Sequence, residues 1–354
     1  MALKRRTKIL IGGAAVILAA IVAIVGIRSG WKRQQDEKKV AGKSGKELTE
    51  IRTYTRTDCG ITPYVVADEL GFFEEEGLKL VYTGTLGYDQ QLTSIINGNN
   101  DIGDAHPNEL ALFVKGGAKV KGVSRDDLEP LDEADKEYRH MKYFVSPNSP
   151  IKSWEDLKNY KKGKKILING RIPGCTTFVV STIFDKFGLG RDRIKFVTFD
   201  SNQQALQAVS QGDIDIAQVH PPFYKLATDS GLRQIGDSFD AGLGATTGTA
   251  LYYFSDKFIA EHPDRVQAFV RAITKAQIWA NKPENRKRAA EITARALNVD
   301  AATTHYYAND TKIVDEEIQP WIDDLVREGF LKKGELTPAD IVTHQFYDKS
   351  VEEQ

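Results

Sequence analysis

The sequence predicts an α/β protein: two doubly wound lobes joined by two crossover strands, with an N-terminal transmembrane segment. Three observations carry this reading. Strand-like and helix-like stretches alternate from Ile51 to Ser124. The same alternation returns from Lys164 to Pro222. A basic and then strongly apolar run opens the chain. Alternating strand and helix is the pattern of a parallel sheet covered by helices on its faces.

Residues 1–8 carry Lys4, Arg5, Arg6 and Lys8, and Ile9–Ile27 is then 19 residues without a charge. Such a run reaches the roughly 20 residues that cross a bilayer. The basic cluster stays inside, which sends the rest of the chain out. The run ends in VAIVGIRSG, a poor cleavage site, so a retained single-span anchor is favoured over secretion after signal cleavage. Residues 1–30 are thus read as basic tip and anchor, and 31–50 as a charged linker. The location expected is the periplasmic or extracellular face of the cytoplasmic membrane.

In the first lobe, Ile51–Arg56 alternates apolar and polar and predicts a strand. A helical pattern follows through VVADELGFFEEEG, with Pro63 suited to its first turn. LKLVYTG, DIGDAH and AKVKGVS predict three further strands, with YDQQLTSIINGN and PNELALFVKGG as the helices between them. Asp126–Arg139 is strongly acidic and reads as a solvated helix or surface loop.

KYFVSPNSP predicts the first crossing strand. The second lobe then has strands at Lys164–Ile168, Ile194–Phe199 and in DIDIAQVHPP, and helices in FVVSTIFDKFG and SNQQALQAVSQG. GATTGTALYYFSD predicts the return crossing, with Thr246, Thr247 and Thr249 near the hinge. The lobes are therefore 51–143 with 249–335, and 144–248; 336–354 is a peripheral tail. The chain has 354 residues and a net charge of -1, with 27% charged and 9% aromatic residues. That composition is globular and gives no support to nucleic-acid binding. Two cysteines do not make a disulfide scaffold, although one bridge is open to them.

Five segments stand out: GITPYVVADELGFFEEEGLKLVYTG, DQQLTSIINGNNDIGDAHPNELA, SPIKSWEDLKNYKKGKKI, GDIDIAQVHPPFYKLA and FIAEHPDRVQAFVRAITKAQIWANKPENR. Together they resemble the solute-binding subunits of importers for nitrate, sulfonates and taurine, whose superfamily also holds thiamine-pyrimidine-precursor proteins. The resemblance spans roughly Ile51 to Phe330 and implies the type II periplasmic-binding-protein fold, with ligand trapped between lobes. It also implies a permease and its ATPase as partners of a monomer. The cysteine-rich run of the family's pyrimidine synthases is missing, so an enzyme is not expected.

Ligands in parallel α/β sheets bind beyond the carboxyl ends of the strands. Cys59 and His106 in the first lobe, and Cys175 and His220 in the second, fall at such ends. The resemblance places ligand-contacting side chains at Cys59, and has serine and threonine where Cys175 stands. A helix N-terminus at Cys175 favours anions and makes that thiol more thiolate-like. Thr62, Gly87, Tyr88, Asn108, Gly174, Thr176, Thr177 and Thr247 complete the candidate ligand-binding set. Arg56 and Arg171 are candidate anion clamps, with surface placement as the alternative. Cys59, His106, Cys175 and His220 could ligate a thiophilic metal ion such as Cu, Zn or Hg. They could instead contact a sulfur-containing solute, or the cysteines could pair. Family ligands are oxyanions, carboxylates or sulfonates, which fit the GCTT backbone and its hydroxyls. A metal buffer or sensor that never meets a transporter is the alternative role.

Overall fold

The computed structural model describes residues 39–41, 47–199 and 201–352. The expected anchor at Ile9–Ile27, and most of the expected linker, lie outside them. Among the described residues no helix is long and apolar enough to cross a membrane. The expectation is corrected accordingly: among the described residues the fold is the two-lobed body, with no spanning segment in it, and the single-span location is dropped.

The first lobe opens with β1 (Lys39–Ala41), paired antiparallel with the start of β2 (Glu47–Thr53). After β2 come α1 (Ile61–Leu70), the short α2 (Phe72–Glu75) and β3 (Leu78–Tyr82). They are followed by α3 (Tyr88–Ile96), β4 (Gly103–Ala105), α4 (Pro107–Lys115) and β5 (Val120–Arg125). Gly71 ends α1 in the left-handed region at φ 82°, a conformation that costs glycine nothing. Pro107 takes the first turn of α4, where its missing N–H is not needed.

The chain then crosses through β6 (Asp127–Leu128) to β7 (Lys142–Val145). The second lobe continues with β8 (Ile166–Asn169), α5 (Cys175–Lys186), β9 (Ile194–Val197), α6 (Asn202–Gln211) and β10 (Ala217–Val219). It ends with α7 (Tyr224–Asp229) and β11 (Arg233–Asp237). A 3-10 turn, Gly244–Gly248, leads back to β12 (Leu251–Ser255). The remainder is helical, apart from β13 (Tyr306–Tyr307). Its helices are α8 (Asp256–Glu261), α9 (Pro263–Asn281), α10 (Arg286–Leu297), α11 (Asp315–Arg327) and α12 (Pro338–Ile341).

Both sheets have the same order. In the first lobe it is β3-β2-β4-β12-β5, with β2 and β3 parallel and a parallel bridge from Thr53 to Ile102. In the second it is β9-β8-β10-β7-β11, with β8 and β9 parallel and a parallel bridge from Ile168 to Ile216. The odd strand in each, β12 or β7, is antiparallel to both neighbours and has just arrived from the other lobe. These two strands are buried on both faces, which explains their unbroken apolar runs: Leu251–Phe254 and Tyr143–Val145 are all at most 1% exposed.

Each lobe has its own core. Ile51, Leu80, Val123 and Phe254 pack beneath α9, whose buried Val266, Phe269, Val270 and Ile273 follow helical spacing. Ile166, Ile168, Val180 and Phe184 do the same in the second lobe. Helix α11 reaches both lobes. It contributes Ile318, Ile322 and Leu325 to a first-lobe core, while its Trp321 lies 4.1 Å from Phe178 of α5, ring to ring. The acidic stretch Asp126–Arg139 departs from the solvated loop expected of it. Glu133–Tyr138 is an exposed 3-10 turn, but Asp126, Asp127, Glu129 and Arg139 are buried at the hinge.

Candidate functional site

The two sheets direct the carboxyl ends of their strands at one another, and the loops there converge on Cys175. This residue opens α5, after Gly174, at the end of the β8 loop. Its Sγ lies 3.4 Å from Nε2 of His220, which follows β10 in the same lobe. From the first lobe comes His106, immediately after β4. Its Nδ1 donates to the carbonyl oxygen of Thr249, 2.9 Å away, which leaves Nε2 for the cysteine. The indole of Trp321 stacks on the His106 ring at 5.2 Å and holds its plane.

Two more histidines complete the cluster. His140 ends the crossing before β7. His305 precedes β13, whose pairing with β6 sets Tyr307 opposite Asp127. The His140 and His305 rings stack at 4.8 Å, and His140 meets His106 and His220 edge-on at 5.3 and 5.0 Å. Both are at most 2% exposed, and neither ring nitrogen of either residue has a hydrogen-bond partner among the described residues. Buried polar atoms in folded proteins are nearly always partnered, so these four nitrogens stand out as unused donors and acceptors.

Two groups result, each with its donor atoms within 4.8 Å of one another: His106, His140 and Cys175, and Cys59, Asp127 and His305. Either could coordinate a metal ion. Tetrahedral zinc spaces its nitrogen and sulfur donors about 3.5 Å apart, so modest contraction would close the first group on an ion. A histidine that donates Nδ1–H to a backbone carbonyl is already oriented as a metal ligand.

The electrostatics divide the two cysteines. Burial works against a thiolate at Cys175, yet the imidazoles of His106 and His220 bring its pKa down to about 5. Burial likewise works against charge on His106, but the Cys175 thiolate and then Glu109 raise it to about 9. The thiolate and the imidazolium thus favour each other's charged form across the lobes. The Cys59 thiol is instead pushed up by burial and by Asp127 and Asp58. Burial and neighbouring histidines keep His140 and His305 neutral. Asp127 is raised by burial and by Asp126, Asp104 and Asp58, and Asp126 is raised to about 7 by burial and Asp104. The cleft floor is crowded with carboxylates that repel one another.

The remaining sequence candidates scatter. Asn108 donates across the lobes to the Gly174 carbonyl oxygen at 3.2 Å. Tyr88 bonds Glu109 and lies beneath the Arg171 guanidinium, 3.1 Å from ring centroid to carbon. Thr177 bonds back to Gly174, and Thr176 accepts from the Arg171 N–H. Thr62 is turned into helix packing by its 2.8 Å bond to Thr293. Gly87 caps exposed α3, and Thr247 is buried in the hinge turn. Neither arginine is free to clamp an anion: Arg56 is buried on Asp104, and Arg171 pairs with Glu109 at 3.4 Å. Neither cysteine is in a disulfide.

Sequence reasoning missed His140, His305, Asp127 and Trp321. None lies at the end of a strand followed by a helix, and only the β6–β13 pairing and the placing of α11 bring them in. The histidine count held a signal. Four of the chain's six histidines are in this cluster.

Comparison with known proteins agrees with this architecture. A Bacillus subtilis protein assigned as the binding protein YtlA is 24% identical over 337 residues, covering 89% of this chain and 92% of its own. One assigned as an aliphatic sulfonates-binding protein, from the same organism, is also 24% identical, over 357 residues, covering 95% and 97%. The solved ligand-binding component of an ABC-type import system from Staphylococcus aureus, with zinc bound, superposes at a TM-score of 0.63. It is 12% identical and covers 87% of this chain and 98% of that one. The role that goes with these relatives is binding rather than catalysis. The model of the NMT1/THI5-like family matches residues 59–286, and the chain belongs to that family of periplasmic solute-binding proteins related to the nitrate-, sulfonate- and taurine-binding subunits of ABC importers.

Proposed function

We propose that this solute-binding protein captures a soft or borderline metal cation, or a small species carrying one, by closing its lobes around Cys175. The family supports the general role: solute binding outside the cytoplasm, in service of a permease and its ATPase. The cargo is argued from the cleft. Relatives are named for sulfonates, which are anions, but this cleft offers an anion little. Its arginines are bound to Asp104 and Glu109. What it presents is the Cys175 thiolate, the neutral imidazoles of His140 and His305, and buried acidic side chains, a donor set that favours a cation once His106 gives up its proton.

The observation that carries this reading is the contribution of both lobes to one centre: His106 from the first, Cys175 from the second, and His140 from the crossing between them. A cation bound by all three ties the lobes together, and only such differential affinity can shift the open–closed balance. The permease then meets a closed, loaded protein.

Thermal melts with Zn(II), Cu(I), Hg(II), nitrate, taurine and alkylsulfonates, beside native mass spectrometry of protein purified without chelator, test this. A cation at 100 times its Kd stabilises by about 2.7 kcal/mol, which raises Tm by several degrees. Cys175→Ala should remove the part of that rise that comes from the cross-lobe centre. Tight binding of nitrate or a sulfonate, unchanged in Cys175→Ala, would overturn the reading.

A further inference from the structure

We infer that the cleft holds two metal ions side by side, the first captured by the open protein at Cys59, Asp127 and His305, the second at the cross-lobe centre on closure. This rests on the cation reading above and adds capacity and order to it.

The geometry separates the two centres. Cys59 stands on the loop after β2, Asp127 on β6, and His305 just before β13. All three belong to the first lobe or to the strand leaving it. The placement of Asp127 and His305 is locked there: Asp127 pairs with Tyr307, and Ala308 N–H donates to the Asp126 carbonyl at 2.8 Å. Asn281 of α9 grips Tyr307 from both sides, donating to its carbonyl at 2.8 Å and accepting from its N–H at 3.0 Å. None of these bonds is to the second lobe, so this centre does not need closure to form. The other centre divides His106 from Cys175 between the lobes and forms only on closure.

Independent observations point to a ligand at the first-lobe centre. His305 is 2% exposed with both ring nitrogens unpartnered, and Asp127 Oδ1 is likewise buried without a partner. The nearest approach of the two, His305 Nε2 to Asp127 Oδ2 at 3.5 Å, is a loose contact. One sulfur, one nitrogen and one carboxylate oxygen make a donor set that suits zinc better than Cu(I), which prefers soft ligands alone. An ion there also neutralises the most crowded part of the carboxylate floor. The His140 ring, stacked on His305 at 4.8 Å, then separates the two centres while serving the second.

Zinc stoichiometry tests this on the full chain, by native mass spectrometry and by Co(II) substitution, which reports thiolate ligation as a near-ultraviolet charge-transfer band. The wild type should bind two zinc ions and show the band in two steps. Cys175→Ala should keep one ion and no longer compact on zinc addition in small-angle scattering. Cys59→Ala and His305→Gln should each keep at most one. His305→Gln retains both thiols, so it remains informative if Cys59→Ala does not fold. One zinc in the wild type, unaffected by either first-lobe variant but lost in Cys175→Ala, would overturn this inference and leave the cation reading standing. Absence of zinc from every form would sink both.

Discussion

His106 donates its Nδ1 proton to the carbonyl oxygen of Thr249, 2.9 Å away on the return crossing. A hinge residue therefore orients the first-lobe histidine that faces Cys175, and the charge of the cysteine follows from the imidazolium held there.

In metal-free protein, iodoacetamide should modify Cys175 at a rate that rises through pH about 5 and is level by neutrality, because the thiolate is the nucleophile. Cys59, whose thiol is pushed up, should stay unmodified at neutral pH. His106→Ala removes the imidazolium and should move the Cys175 profile to higher pH. Peptide mass spectrometry across a pH series reads all three outcomes. Identical profiles for the two cysteines near the ordinary thiol range would show that the thiolate and the imidazolium do not favour each other.

Asn108 joins the lobes through its bond to the Gly174 carbonyl. Removing a bond of this kind costs about 0.5–1.5 kcal/mol. Asn108→Ala should therefore weaken zinc binding by roughly 2- to 12-fold, since each 1.4 kcal/mol is tenfold. Isothermal titration calorimetry measures the change. Unaltered affinity would mean that this contact does not help to hold the closed form.

Arg56 is 3% exposed, bonded to Asp104, and lies over the rings of Tyr54 and Tyr64 at 4.4 and 4.0 Å. It is a structural counter-ion for the carboxylate floor. Arg56→Met strands Asp104 beside Asp126, and breaking a buried pair in this way costs about 3–5 kcal/mol. Urea denaturation should show that loss in metal-free protein. A stability within 1 kcal/mol of wild type, on the ~3–5 kcal/mol scale of such pairs, would contradict the assignment.

Gly248 lets the return crossing lie directly on the outgoing one. A Cβ there would stand 2.5 Å from both the Leu128 carbonyl carbon and the Glu129 nitrogen. These are backbone atoms and cannot swing aside. Gly248→Ala should destabilise the protein by about 1–3 kcal/mol, the range for overpacked sites, and should weaken zinc binding by displacing Thr249. Melting curves and calorimetry on the same preparation check both effects.

The strand–helix alternation and the positions of Cys59, His106, Cys175 and His220 beyond strand ends were legible because each depends on a local pattern: apolar periodicity, a proline or glycine at an element's end, a polar residue just past a strand. The acidic stretch was misread for the same reason. A run such as DDLEPLDEADKEYR reads as solvated unless its burial is known, and Asp127 is buried by a two-residue pairing with Tyr306–Tyr307. That pairing spans about 180 residues of chain and leaves no periodic trace.

By itself the sequence determined two α/β lobes and the four loops that line the cleft between them, since hydrophobic period and turn chemistry act over a few residues. Tertiary structure alone decided that His140, His305 and Asp127 join those loops, that Arg56 and Arg171 are consumed by carboxylates, and that Trp321 braces His106. Each of these depends on which distant segments are driven together when two cores are buried, and burial converts a scattered set of polar residues into unpartnered, mutually perturbed groups around one point.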